Sequence, residues 1–257
     1  MRRAVRFAGI LAVAASAAAA VAVAAAAGGE ALFNGRDFAG WTFFLEHKEY
    51  NAAGQGKIAD FATVKPGGVI EIAPRMHGAL MTTRDYLDYD LHAEYRFVDP
   101  KADNDSGIFL RIRPPFVWDS EHGELARFYM LQIQPGNTGD LWVMGYSESM
   151  LKSEPARSFK PFGELELGKG GHIRRHLKLR DAERTTGDWN TIDLSLTGKT
   201  IEVYLNGALV NEARALVDLP GRIGLESERG AIQFRNIRLE PRLDQVSDEA
   251  QVGHGPG

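Results

Sequence analysis

The chain has 257 residues with 28 Gly, 11 Pro and no Cys, and 30 Lys+Arg stand against 34 Asp+Glu for a formal net charge of −4. A hydrophobic fraction of 44% with 25% charged residues is ordinary globular composition and excludes a wholly disordered chain. The lack of Cys excludes disulfides, thiolate metal sites and a Cys nucleophile, and the nearly balanced charge gives no case for a nucleic-acid partner.

The first element is a targeting segment. Arg2, Arg3 and Arg6 precede 21 uncharged residues (7–27), of which 13 are Ala, with A-x-A sites near the end. A basic start, an apolar run and small residues before Gly28-Gly29 predict a secretory signal over 1–27. The run is long enough to span a bilayer. Its Ala content makes it weakly hydrophobic, so cleavage is expected over stable membrane insertion. The three arginines leave with it, and 230 residues at −7 remain. The expected location is periplasmic or secreted. A single β domain is expected over 28–240, with a disordered tail over 241–257.

From Trp41 onward apolar and polar residues alternate in short runs. In chain order these are 88–97 (DYDLHAEYRF), 106–113 (SGIFLRIR), 128–134 (FYMLQIQ), 189–196 (WNTIDLSL), 200–207 (TIEVYLNG) and 232–239 (IQFRNIRL). Period-two alternation rich in Val, Ile, Tyr and Phe predicts strands with one buried face. Turn signals fall between them at Pro66-Gly67-Gly68, Pro114-Pro115, Pro135-Gly136-Asn137, Thr197-Gly198-Lys199 and Asn206-Gly207. Asn206-Gly207 is the strongest, because a two-residue hairpin turn needs positive φ at both positions. It makes 189–212 a β-meander. No stretch after residue 27 carries a long 3.6-residue period, so an all-β, two-sheet antiparallel sandwich or jelly roll is expected.

Several segments carry a family resemblance. LFNGRDFAGW (32–41) resembles the opening of the 3-keto-disaccharide hydrolase domain family. GALMTTRDYLDYDLHAEYRF (78–97), NDSGIFLRIR (104–113), GDWNTIDLSLTG (187–198), VYLNGALV (203–210) and GRIGLESERGAIQFRNIRLE (221–240) follow in the family's order. The resemblance implies a concanavalin-A-like jelly roll and a saccharide ligand. It also implies cleavage of 3-keto-glycosides by elimination or hydrolysis, with a divalent metal ion as an optional helper. The family often carries carboxylates around a Gln-Ile pair in a middle strand. Gln132 and Ile133 match that pair, whereas Met130 and Pro135 stand where the carboxylates are common.

Alternation puts His92 and Glu94 on one face of 88–97, Arg111 and Arg113 on one face of 106–113, and Gln132 and Gln134 on one face of 128–134. If these strands are sheet neighbours, the six side chains share one polar surface. That surface is either an ordinary wet face, with Glu94–Arg111 as a cross-strand ion pair, or a ligand groove. A 3-keto sugar has an acidic proton on C2, so its cleavage needs a base, a donor at the ketone oxygen and an acid for the leaving oxygen. On the groove reading Glu94 is the base or a metal ligand, Arg111 stabilises the enolate, and His92 is the acid or a metal ligand. Gln132, Gln134 and Arg113 then bind substrate, and Trp142 and Trp118 offer platforms for a sugar ring.

Other candidates carry less. Glu46, His47 and Tyr146 sit where they could line a groove. Asp99, Asp103, Asn104 and Asp105 are oxygen donors of the kind Ca²⁺ takes, but without EF-hand spacing a solvated turn is expected. His172 and His176 lack the Glu of H-E-x-x-H. Arg174, Arg175, Lys178 and Arg180 suit a solvated face or a charge-protected strand edge, and 168–171 lacks the strand–helix setting of a phosphate loop. Glu226 and Glu228 flank a strand end, a rim position from which one could act as acid. No E-x-D glucanase triple and no G-x-S-x-G elbow appears. The competing readings are a non-catalytic, lectin-like carbohydrate-binding module and a protein-interaction domain.

Overall fold

A computed structural model of the chain describes residues 29–46, 56–74, 77–119, 124–145, 174–214 and 216–242. The expected signal, nearly all of the expected tail, and His47, Tyr146, His172 and 168–171 lie outside the described residues. The strands in chain order are β1 (Glu30–Ala31), β2 (Trp41–Leu45), β3 (Ala62–Lys65), β4 (Val69–Ile72), β5 (Gly78–Thr82), β6 (Tyr89–Phe97), β7 (Ser106–Asp119) and β8 (Glu124–Ile133). They continue with β9 (Leu141–Met144), β10 (Arg174–His176), β11 (Asn190–Thr197), β12 (Thr200–Leu205), β13 (Ala208–Arg214), β14 (Arg222–Ser227) and β15 (Ile232–Pro241). The one helical turn among the described residues is a 3-10 turn over Ile58–Asp60. No described helix is long and apolar enough to cross a membrane.

Two antiparallel sheets result. Sheet A runs β13-β12-β11-β6-β15-β4-β3, with β1 also on β15, and sheet B runs β10-β9-β8-β7-β14-β5-β2. The expected meander is present, since β11, β12 and β13 are successive neighbours. Its hairpin turn has φ of 51° at Asn206 and 81° at Gly207, the conformation the two-residue turn demands. The turn expected at Pro114-Pro115 is not made. β7 runs through both prolines to Asp119, with register shifts on either side of Arg113.

Alternation decides which side chains meet between the sheets. Along β6, Tyr89, Leu91, Ala93, Tyr95 and Phe97 are buried in the main core and His92, Glu94 and Arg96 point away from it. Along sheet B, Ile108, Leu110, Tyr129, Leu131, Ile133, Leu141, Val143, Ile223 and Leu225 enter the same core. Each such large aliphatic side chain removed from water contributes about 1.5–3 kcal/mol. The alternate residues of sheet B form a second apolar cluster on its outer face. It contains Phe44, Ala79, Met81, Phe109, Phe128, Met130 and Met144, with Phe109 stacked on Phe128 at 4.1 Å. The outer faces of sheets A and B therefore look in opposite directions, with a core about 10 Å thick between them.

Candidate functional site

The six side chains expected on one polar surface do not share one. β6 pairs with β11 and β15, not with β7, so His92 and Glu94 belong to sheet A while residues 106–113 and 128–134 belong to sheet B. His92 Nδ1 lies 2.7 Å from Asp193 Oδ1. Glu94 accepts from Arg235 Nε at 2.7 Å and from Asn236 Nδ2 at 2.5 Å. This is the ion-paired wet face of the alternative reading, but Glu94 meets Arg235 where Arg111 was expected.

Arg111 is also placed differently. It adopts φ of 52° at a register break of β7, which turns its side chain into the interior, where it is 1% exposed. Its guanidinium donates to Val217 O at 2.6 Å, Gly198 O at 2.8 Å and Leu87 O at 3.0 Å. Its Nη2 also lies 3.3 Å from Asp88 Oδ1 and 3.7 Å from Asp218 Oδ1, so its donors are spent on loop carbonyls and loop carboxylates, and Arg111 secures loops and does not face a reacting group. Arg113 stays half-buried on β7 opposite Arg127. Trp118 belongs to β7, opposite Leu125, and not to a loop. Trp142 lies opposite Met130 on β9, and one of its faces carries the Arg175 guanidinium at 5.0 Å. Asp140 holds that guanidinium by two hydrogen bonds, at 2.8 and 2.5 Å. His176 is in a strand and contacts Glu212 O at 3.0 Å.

A different set converges at one end of the outer face of sheet B. Gln132 Nε2 and Gln134 Nε2 (at 2.9 Å) both donate to the carboxylate of Asp105. Arg229 Nη2 donates to the same carboxylate, Nη1 lies 3.1 Å from Asp103 Oδ2, and Nε lies 3.4 Å from Glu228 Oε1. His77 Nε2 reaches Glu228 Oε1 at 3.8 Å from the neighbouring β5 end. Glu226 and Glu228, two residues apart, share a face at the end of β14 and the residue beyond it, with Cα atoms about 6–7 Å apart. Glu226 is 1% exposed and its Oε2 has no hydrogen-bond partner. Beside it, Gly107 has no side chain. A Cβ there would lie 2.9 Å from both Glu226 Oε2 and Met130 Cγ.

These surroundings split the carboxyl groups. Burial pushes Glu226 well above the usual carboxylate range, and the nearby charges of Glu228 and Asp105 add to the effect. Glu228 is pushed up to about 7 by burial and by Asp105, against the opposing pull of Arg229. Asp105 is raised mainly by burial, with Arg229 opposing. Glu226 is thus held as a carboxylic acid while Glu228 gains and loses its proton around neutral pH, the kind of division that acid–base catalysis requires.

The solvated turn expected over 99–105 is accurate for Asp99, whose Oδ1 caps Lys101 N, and inaccurate for Asp105, which is buried. A divalent metal fits this set poorly. Among the described residues no group of three or more His, Asp and Glu side chains is arranged to hold one. The guanidinium of Arg229 stands between the carboxylates instead.

A two-sheet antiparallel sandwich of this kind is a concanavalin-A-like jelly roll. The chain belongs to the 3-keto-alpha-glucoside-1,2-lyase-like domain family, whose model matches residues 28–240. Its function therefore lies in carbohydrate chemistry. Among solved structures it is similar to a glycosyl-hydrolase candidate from Parabacteroides distasonis, with 16% identity, a TM-score of 0.54, and coverage of 82% of this chain and 93% of that one. It is also similar to the β-glucanase of Bacillus licheniformis, with 12% identity, a TM-score of 0.50, and coverage of 84% and 100%. No curated protein matches the chain.

Proposed function

We propose that the chain is an exported enzyme that cleaves 3-keto-glycosides at C1, with Glu228 as general base and Glu226 as general acid. The observation that carries this reading is the pair itself: two carboxyl groups from one strand end, one kept neutral by burial and the other poised near pH 7. Glu228 takes the proton from C2, and the electron pair forms the enolate of the C3 ketone. The enolate then expels the C1 substituent. Glu226 gives its proton to the departing oxygen, leaving an unsaturated keto sugar and an alcohol. Water added to that product gives net hydrolysis. Asp105, held by Gln132, Gln134 and Arg229, fixes the charge next to Glu228. Family membership supports the substrate class, and the basic-then-apolar stretch 1–27 supports export.

Met130 favours a second reading. It lies on the outer face of sheet B where related sequences often carry a carboxylate, which suits a module that binds sugar without turning it over. Against it, Glu226 brings a carboxyl close to the same place from β14, across the Gly107 position of the intervening β7. Incubation with 3-keto-disaccharides and product mass analysis separates the two. An unsaturated keto sugar or its hydrate, lost in E228Q, supports the enzyme. Saccharide binding with no product supports the module.

A further inference from the structure

Three carboxylates surround one guanidinium at the end of sheet B. Each of the three nitrogens of Arg229 faces a different acid: Nη1 faces Asp103, Nη2 faces Asp105 and Nε faces Glu228. The backbone fixes the arrangement. Asp105 N donates to Arg229 O at 2.8 Å and Arg229 N donates to Asp105 O at 3.0 Å, so the cation and one partner are tied together. One further oxygen, Glu226 Oε2, belongs to a side chain 1% exposed and has no hydrogen-bond partner. The partners of the guanidinium are thus carboxylate oxygens, a kind of donor that hard divalent cations choose. Without a positive charge among them, the three carboxylates would repel one another across a partly buried site.

We propose that Arg229 is the resident cation of this site, its guanidinium standing where a divalent metal ion would otherwise sit among Asp103, Asp105 and Glu228, so that the chain needs no metal. A guanidinium brings one charge where a metal would bring two. It also brings fixed donor directions, which orient each carboxylate, and it cannot be stripped by a chelator. Removing it leaves like charges facing one another. Asp103, which is largely exposed, is able to close in on an ion that relieves the repulsion.

The proposal goes beyond the catalytic reading, and its test uses no substrate, so either can fail alone. The whole chain is melted in EDTA and in millimolar Ca²⁺ or Mg²⁺, and titrated with Ca²⁺ by calorimetry. The native chain is expected to show the same melting temperature in each and no heat of binding. R229A and R229Q are expected to melt lower in EDTA, to recover by about 5 °C or more in Ca²⁺, and to bind about one ion per chain. A native chain that melts lower in EDTA and recovers on adding metal overturns the proposal. So do folded R229A and R229Q chains that take up no Ca²⁺. If neither variant folds, the native melts decide the question.

Discussion

The Oε2 atom of Glu226 lies 2.9 Å from the point where a side chain on Gly107 would begin, so the missing Cβ of one strand makes room for the carboxyl of the next. Gly107 therefore determines whether a buried acid can exist on this face. G107A is expected to crowd both Glu226 and Met130 and to cost about 1–3 kcal/mol of stability. Urea melts of both chains measure the loss, and a stability equal to the native chain's would contradict this packing.

E228Q is expected to lower turnover of a 3-keto-glycoside by about 10²- to 10⁴-fold. In the native chain the rate should rise with pH through about 7, as Glu228 loses its proton. Stability moves the other way. The folded chain holds this proton more tightly than the unfolded one, so the contribution of Glu228 is complete below its ordinary value of 4.5 and is lost as pH rises through about 7. Melts of E228Q between those values should be flatter in pH than those of the native chain.

Arg111 offers a contrast. R111A leaves the carbonyls of Leu87, Gly198 and Val217 without their donor inside the protein, at a cost of about 3 kcal/mol or more. R111K should not rescue it, because one ammonium cannot reproduce the planar fork across those carbonyls. Circular dichroism melts test both. In any fraction that folds, turnover per folded molecule should be close to native.

On the far side of the sandwich, the hydrogen bond to Asp193 raises the His92 pKa above 6.5, and Glu94 adds to it. This stabilisation is full below 6.5 and disappears as pH rises through the folded value. D193N should therefore cost under about 1 kcal/mol at pH 6 and nothing at pH 9, since the pair is partly exposed. It should leave turnover unchanged, as should E94Q. A large loss of activity in either variant would bring sheet A back into the mechanism.

The faces of the strands were legible in the sequence because alternation is a local property. His92 and Glu94 do point away from the core, and so does Gln132. Which strands lie side by side was not legible. Residues 88–97 and 106–113 follow each other along the chain, yet β6 finds its neighbours about a hundred residues later, in β11 and β15. The polar surface drawn from chain proximity therefore joined two opposite faces. Arg111 kept its place in the alternating pattern of the sequence, but its positive φ turned it inward. The acid pair left a fainter signal, two Glu spaced by one residue before a Gly. Asp105 was masked by three polar neighbours that make the same stretch read as a turn.

The carbonyls held by Arg111 lie 24, 87 and 106 positions away in sequence. No short piece of chain can assemble that shell, and each partner must first be delivered by a separately formed loop. Arg111 thus ties the two sheets together: its buried charge has its full set of acceptors only when all three segments are in place. A nascent or truncated chain ending before Val217 would lack the closest of those acceptors.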